Sequence, residues 1–123
     1  MKKNTIVFIS ILIFLLLVGA FYFSKTKPSE IKLPTGYEYY WGDGCPHCAN
    51  VAAFLESWDK KDKINLQKLE VWSNPTNAKL MQERYSYCKV DKTQMGVPLL
   101  FTPDGKCLVG DVPIIDFLKN IQL

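Results

Sequence analysis

Apolar residues run from Thr5 to Ser24 without a single charge and without a polar face. About twenty such residues at roughly 1.5 Å each cover the hydrocarbon thickness of a bilayer, so residues 1–24 are expected to form a membrane anchor or a signal sequence. Val18 and Ala20 give the small-residue pattern that signal peptidase accepts. The apolar run nevertheless continues through Phe21, Tyr22 and Phe23, an aromatic end suited to a membrane interface, and the uncleaved anchor is the preferred expectation. From residue 25 to 36 the apolar period disappears. Pro28, Pro34, Ser29, Thr26 and Thr35 gather there with lysines, as in a linker.

Residues 37–123 carry the patterns of one compact domain. Tyr37 to Trp41 reads as a short aromatic strand, and Val51, Phe54, Leu55 and Trp58 then repeat like one face of a helix. Ile64 to Trp72 predicts a second strand whose apolar phase slips near Gln67 and Lys68, which points to a bulge or an early strand end. Ser73-Asn74-Pro75-Thr76 marks a helix entry, and Ala78, Met81, Tyr85 and Cys88 share the stripe that follows. Gly96 to Phe101 is an apolar strand opened by a proline, and Thr102-Pro103-Asp104-Gly105-Lys106 turns it into a hairpin returning through Cys107, Leu108 and Val109. Gly110 breaks that strand and Asp111 is a candidate N-cap. Ile114, Ile115, Leu118 and Ile121 form the buried face of a last helix. The order β-α-β-α-β-β-α predicts an α/β fold with a mixed sheet flanked by helices, preceded by one transmembrane helix.

Charge changes the picture only at the amino terminus. Five of the 15 basic residues precede Tyr37, which leaves the domain ten bases against eleven acids. The mixed run Asp59-Lys60-Lys61-Asp62-Lys63 reads as a solvated helix end, so no nucleic-acid partner is expected. Lys2 and Lys3 before the apolar run compete with Lys25, Lys27 and Lys32 after it for the cytoplasmic side. An anchor beginning this close to the start behaves as a signal-anchor, so the expected orientation is amino terminus in and domain out.

The candidate chemistry is Cys45-Pro46-His47-Cys48, two thiols spaced to form and break one disulfide at the junction of strand and helix. Unpaired N–H groups and the positive end of the helix dipole favour thiolate over thiol at such a position. Pro46 suits the first helical turn, and a protonated His47 would add a cation beside Cys45. The competing reading is a zinc corner. Zinc takes four ligands, and no second pair of closely spaced cysteines exists, so no metal and no cofactor are expected. Ala49 after Cys48 excludes a c-type haem attachment, and the absence of a cysteine near residue 24 excludes a lipoprotein anchor. Cys88 and Cys107 are expected to form a structural disulfide, as an even cysteine count in an exported domain suggests. Two buried free thiols, or a relay pair for Cys45 and Cys48, are the alternatives.

Cys-Pro-His-Cys resembles the site of disulfide oxidases of the DsbA type, and Tyr39-Tyr40-Trp41-Gly42-Asp43-Gly44-Cys45 resembles the approach to the first cysteine in the thioredoxin-like superfamily. The domain's brevity and Gly110-Asp111 are closer to glutaredoxins. The resemblance implies a thioredoxin-like fold, with Cys45 as nucleophile and Cys48 as resolving thiol. It further implies that Val97-Pro98 is a cis-proline loop facing the cysteines, where Val97, Pro98 and Trp41 would receive an extended substrate segment. Two departures stand out. Tyr39 occupies the place of the family's buried acid, with Glu38 on the opposite strand face, and no lysine precedes the cysteine pair as in a typical glutaredoxin. Gly110-Asp111 is accordingly favoured as a helix cap over part of a glutathione-type pocket. The expected function is a membrane-tethered, extracytoplasmic thiol–disulfide oxidoreductase acting on exported proteins and reset by a membrane or soluble redox partner. The rivals are an extracytoplasmic reductase and a non-catalytic zinc- or thiol-binding module.

Overall fold

The computed structural model describes residues 2–23 and 31–123, which fall into two separate units. Residues 25–30 of the linker lie outside the described residues. The first unit is a single helix, α1 (Lys2–Phe23). Beyond Lys2 and Lys3 it carries no charge, and Ile6, Phe8, Leu12 and Leu16 are exposed on it. Its stretch from Lys2 to Ala20 is long and apolar enough to cross a membrane. A helix apolar on every side has no face to offer water, which fits the same reading.

The second unit is built on a four-stranded sheet in the order β2-β1-β3-β4, comprising β1 (Tyr37–Trp41), β2 (Leu66–Glu70), β3 (Leu99–Phe101) and β4 (Cys107–Val109). β1 runs parallel to β2 and antiparallel to β3, and β3 pairs antiparallel with β4. The helices are α2 (Pro46–Ser57), α3 (Pro75–Cys88) and α4 (Asp111–Asn120). Strand alternation feeds two cores. Tyr39 and Leu100 pack with Val51, Leu55, Ile114 and Leu118 of α2 and α4, while Tyr40, Leu99 and Phe101 pack with Tyr85 of α3.

This two-sided burial accounts for the slipping phase of the second strand. Ile64 and Leu66 join the first core and Leu69 and Val71 the second, because the strand has helices on both faces. Neither the expected bulge nor a strand end at Gln67 and Lys68 occurs: β2 pairs with β1 residue for residue from Leu66 opposite Tyr37 to Glu70 opposite Trp41. The strand ends where the Glu70 carboxylate accepts from the backbone N–H groups of Trp72 and Ser73. The first turn of α3 is held by the Asn74 side chain, which accepts from the N–H groups of Thr76 and Asn77.

Asp111 is not the N-cap of α4. Gly110 holds that position at φ 94°, and Asp111 is the first helical residue, its carboxylate turned to α2. A left-handed backbone there suits glycine, and it leaves the acid free for a longer-range contact.

Two covalent or ionic features brace the second core. The sulfurs of Cys88 and Cys107 stand at disulfide distance, 1.92 Å, joining the end of α3 to β4. Closing a loop of this length contributes about 3 kcal/mol in the chain-entropy model. Glu38 is buried and paired with Arg84, whose Nε donates to Glu38 Oε2 at 2.7 Å and whose second guanidinium nitrogen donates to Oε1 at 2.9 Å. Tyr40 also donates to this carboxylate, the guanidinium lies over the Phe101 ring, and Arg84 reaches the Lys32 carbonyl at 3.2 Å.

Candidate active site

Gly42 to Cys48 forms a tight turn from the end of β1 into α2. Gly44 takes φ 76°, which a side chain would strain, and a Cβ on Gly42 would come within 2.4 Å of the Trp72 indole. Trp72, 61% exposed, therefore lies against the approach to the cysteines. The Cys45 N–H donates to the Gly42 carbonyl at 3.3 Å, and Cys45 is the N-cap of α2 with Pro46 in the first turn. Its sulfur accepts from the Cys48 N–H at 3.2 Å. A thiol sulfur thus fills the place usually taken by a serine or aspartate oxygen, satisfying one of the helix's free N–H groups.

Cys45 is 8% exposed and Cys48 4%, so the first cysteine is the more open of two nearly covered ones. The Val97 carbonyl lies 3.8 Å from the Cys45 sulfur, on the cis peptide Val97-Pro98. That loop is anchored twice. Tyr85, reaching over from α3, donates through its hydroxyl to the Gly96 carbonyl and accepts from the Gly96 N–H, and the Pro98 carbonyl accepts from the Gly110 N–H at 2.9 Å. The Val97-Pro98 loop thus lies beside Cys45. Trp41 shares with Cys45, Pro46 and Cys48 the lining of an apolar cleft of about 420 Å³, together with Tyr39 and Leu55.

His47 is exposed and turns its Nδ1 to Asp111 Oδ1 at 3.1 Å. Asn50 donates to the other oxygen of the same carboxylate at 2.6 Å. Asn50, then His47, hold the Asp111 carboxyl down to about 2, so it is an anion throughout the range in which proteins work. The cation expected beside Cys45 therefore comes with a partner, and any field it exerts on the sulfur is partly offset. Burial pushes the Cys48 thiol up to about 11, helped by its hydrogen bond to Cys45 and opposed by the Gly42 backbone. Tyr39 carries its phenol inward from β1 and donates to the Cys48 carbonyl at 3.3 Å. Burial, followed by the charge of Cys48 and Cys45, raises this phenol above its ordinary value.

Sequence reasoning missed Asp111 as the partner of His47 and Trp72 beside Gly42. Tyr39 stands out in the sequence by its place six residues before Cys45, though its contact with Cys48 is not legible there, and Trp72 shows only as a large aromatic at the end of the second strand. Among the described residues no three His, Cys, Asp or Glu side chains gather to hold a metal ion. No family model, curated protein or solved structure matches the chain.

Proposed function

We propose that residues 37–123 are a thioredoxin-like thiol–disulfide oxidoreductase tethered to the outer face of the cell membrane by α1. Cys45 attacks and Cys48 resolves, exchanging disulfides with exported proteins. A membrane or soluble redox partner resets the pair. The observation that carries this reading is the Cys45 sulfur, held at the start of α2 by the Cys48 N–H and facing the Val97 carbonyl. The strand order and the cis-proline loop beside the cysteines support the same reading. A client strand laid along Val97 would pair with its backbone groups and bring a client sulfur over Cys45.

A second reading, a reductase working through the same two sulfurs, is favoured by the His47–Asp111 pair. When His47 is protonated, its charge is paired with the Asp111 carboxylate and stabilises a thiolate less than an unpaired cation would, which makes the disulfide less oxidising.

The full chain, purified in detergent and oxidised, is expected to pass its disulfide to a reduced dithiol peptide, whereas Cys45→Ser is expected to pass none. Wild-type protein that leaves the peptide reduced would sink the oxidoreductase reading. A membrane-impermeant protease added to cells with an opened outer layer checks the side: digestion of residues 37–123 is expected, and protection would place the domain in the cytoplasm.

A further inference from the structure

We propose that Tyr39 is the hydrogen-bond donor that stabilises the Cys48 sulfur as the disulfide changes hands. This rests on the thiol–disulfide reading of the site and adds to it a residue for the half of the reaction in which Cys48 departs or attacks. Tyr39 is 3% exposed, on the β1 face that packs against Val51 and Leu55 of α2. Its hydroxyl donates to the Cys48 carbonyl at 3.3 Å, so the phenol stands against the residue whose sulfur departs or attacks. Tyr39 and Cys48 both line the 420 Å³ cleft, which gives water a route to the two residues.

The need for such a donor follows from the burial of Cys48. In the oxidising direction a client thiolate attacks the Cys45 sulfur of the disulfide. A client–Cys45 bond forms, the Cys45–Cys48 bond breaks, and the Cys48 sulfur leaves with the electron pair as a thiolate. A second client thiolate then attacks the client sulfur and releases Cys45, so one client dithiol is oxidised and the pair is reduced. A thiol of high pKa is a poor leaving group, and burial with the hydrogen bond to Cys45 pushes Cys48 up to about 11. A phenol O–H turned from the carbonyl to the sulfur would spread that charge. Tyr39 starts from about 10 and is raised further by burial, so it keeps its proton and acts as a donor rather than as a base. The proton that neutralises Cys48 then comes from water in the cleft. In the reverse direction the same donor favours the Cys48 thiolate that resolves a mixed disulfide.

The test uses the full chain in detergent with two changes at one atom. Tyr39→Phe removes the hydroxyl, and 3-fluorotyrosine at position 39 makes it a stronger donor. Two readouts are taken: the rate of disulfide transfer to a reduced dithiol peptide, and the pH profile of Cys48 alkylation in the Cys45→Ala background. Tyr39→Phe is expected to slow transfer about tenfold and to move the Cys48 profile up by about one unit, the effect of losing a hydrogen bond to a charged group. The fluorinated residue is expected to move both readouts the other way. A hydroxyl that only braces the Cys48 carbonyl would lower the melting temperature and leave both readouts in place. Folded Tyr39→Phe protein with unchanged rate and profile overturns the proposal. Should that variant not fold, an unchanged profile with 3-fluorotyrosine overturns it equally. If wild-type protein transfers no disulfide, the oxidoreductase reading fails, and the Cys48 profile alone still decides whether Tyr39 acts on the sulfur.

Discussion

Cys48→Ser is expected to stall exchange at the mixed disulfide, with client peptides accumulating covalently on Cys45. Cys45 is the sulfur that caps α2, takes the Cys48 N–H and faces the Val97 carbonyl, so an incoming thiolate or disulfide meets it first. The next step is attack by a sulfur three residues along the same helix turn. Well-oriented intramolecular groups act with effective concentrations of roughly 10⁵ M or more, and an external thiol at millimolar levels cannot replace them. Release should therefore slow by several orders of magnitude. Non-reducing electrophoresis with peptide mapping reads the trapped species directly. Adducts on Cys48 in the Cys45→Ser protein would instead reverse the two roles.

The largest expected loss of stability comes from Arg84, far from the cysteines. Its guanidinium makes two hydrogen bonds to Glu38, and both side chains are almost wholly buried. Arg84→Met would leave the Glu38 carboxylate with only the Tyr40 hydroxyl in an apolar core. Breaking one side of a buried pair costs roughly 3–5 kcal/mol, a large part of the stability of a domain this small. Urea unfolding of Arg84→Met should give an unfolding free energy lower by that amount. Glu38→Leu combined with Arg84→Met should recover most of it, since no charge is then stranded. A loss below about 1 kcal/mol, the range of exposed pairs, would show that solvent reaches Glu38.

What was legible in the sequence was whatever repeats locally. The apolar run that became α1, the face of α2, the stripe of α3 and the hairpin between β3 and β4 all follow from periods of 3.6 and 2 or from turn chemistry. The second strand misled for a physical reason: a strand covered on both faces has no single apolar phase, so its change of side looked like a slip. The cysteine pair was legible as chemistry from its spacing alone, and Cys88 with Cys107 from the cysteine count. The surroundings of the pair were not. His47 and Asp111 are 64 residues apart, Cys45 and Val97 are 52 apart, and Glu38 and Arg84 are 46 apart. Contacts at such separations depend on how helices settle on the sheet, which no local period encodes. Asp111 is the clearest case. A good N-cap residue after a glycine reads as a cap, and only the positive φ of Gly110 shows that the glycine takes the role.

The direction of electron flow depends on how much the helix start and His47, held by the Asp111 carboxylate, stabilise the reduced pair. The central claim, that Cys45 and Cys48 form a reversible redox couple poised for oxidation, is tested most directly by equilibrating the full chain with glutathione buffers and trapping the thiols. We predict reversible loss of two thiols, mapped to Cys45 and Cys48, with a midpoint above about −220 mV and a lower value in His47→Ala. A midpoint near or below about −270 mV that His47→Ala leaves unchanged, or a pair that holds about one zinc per chain and does not cycle, would contradict it.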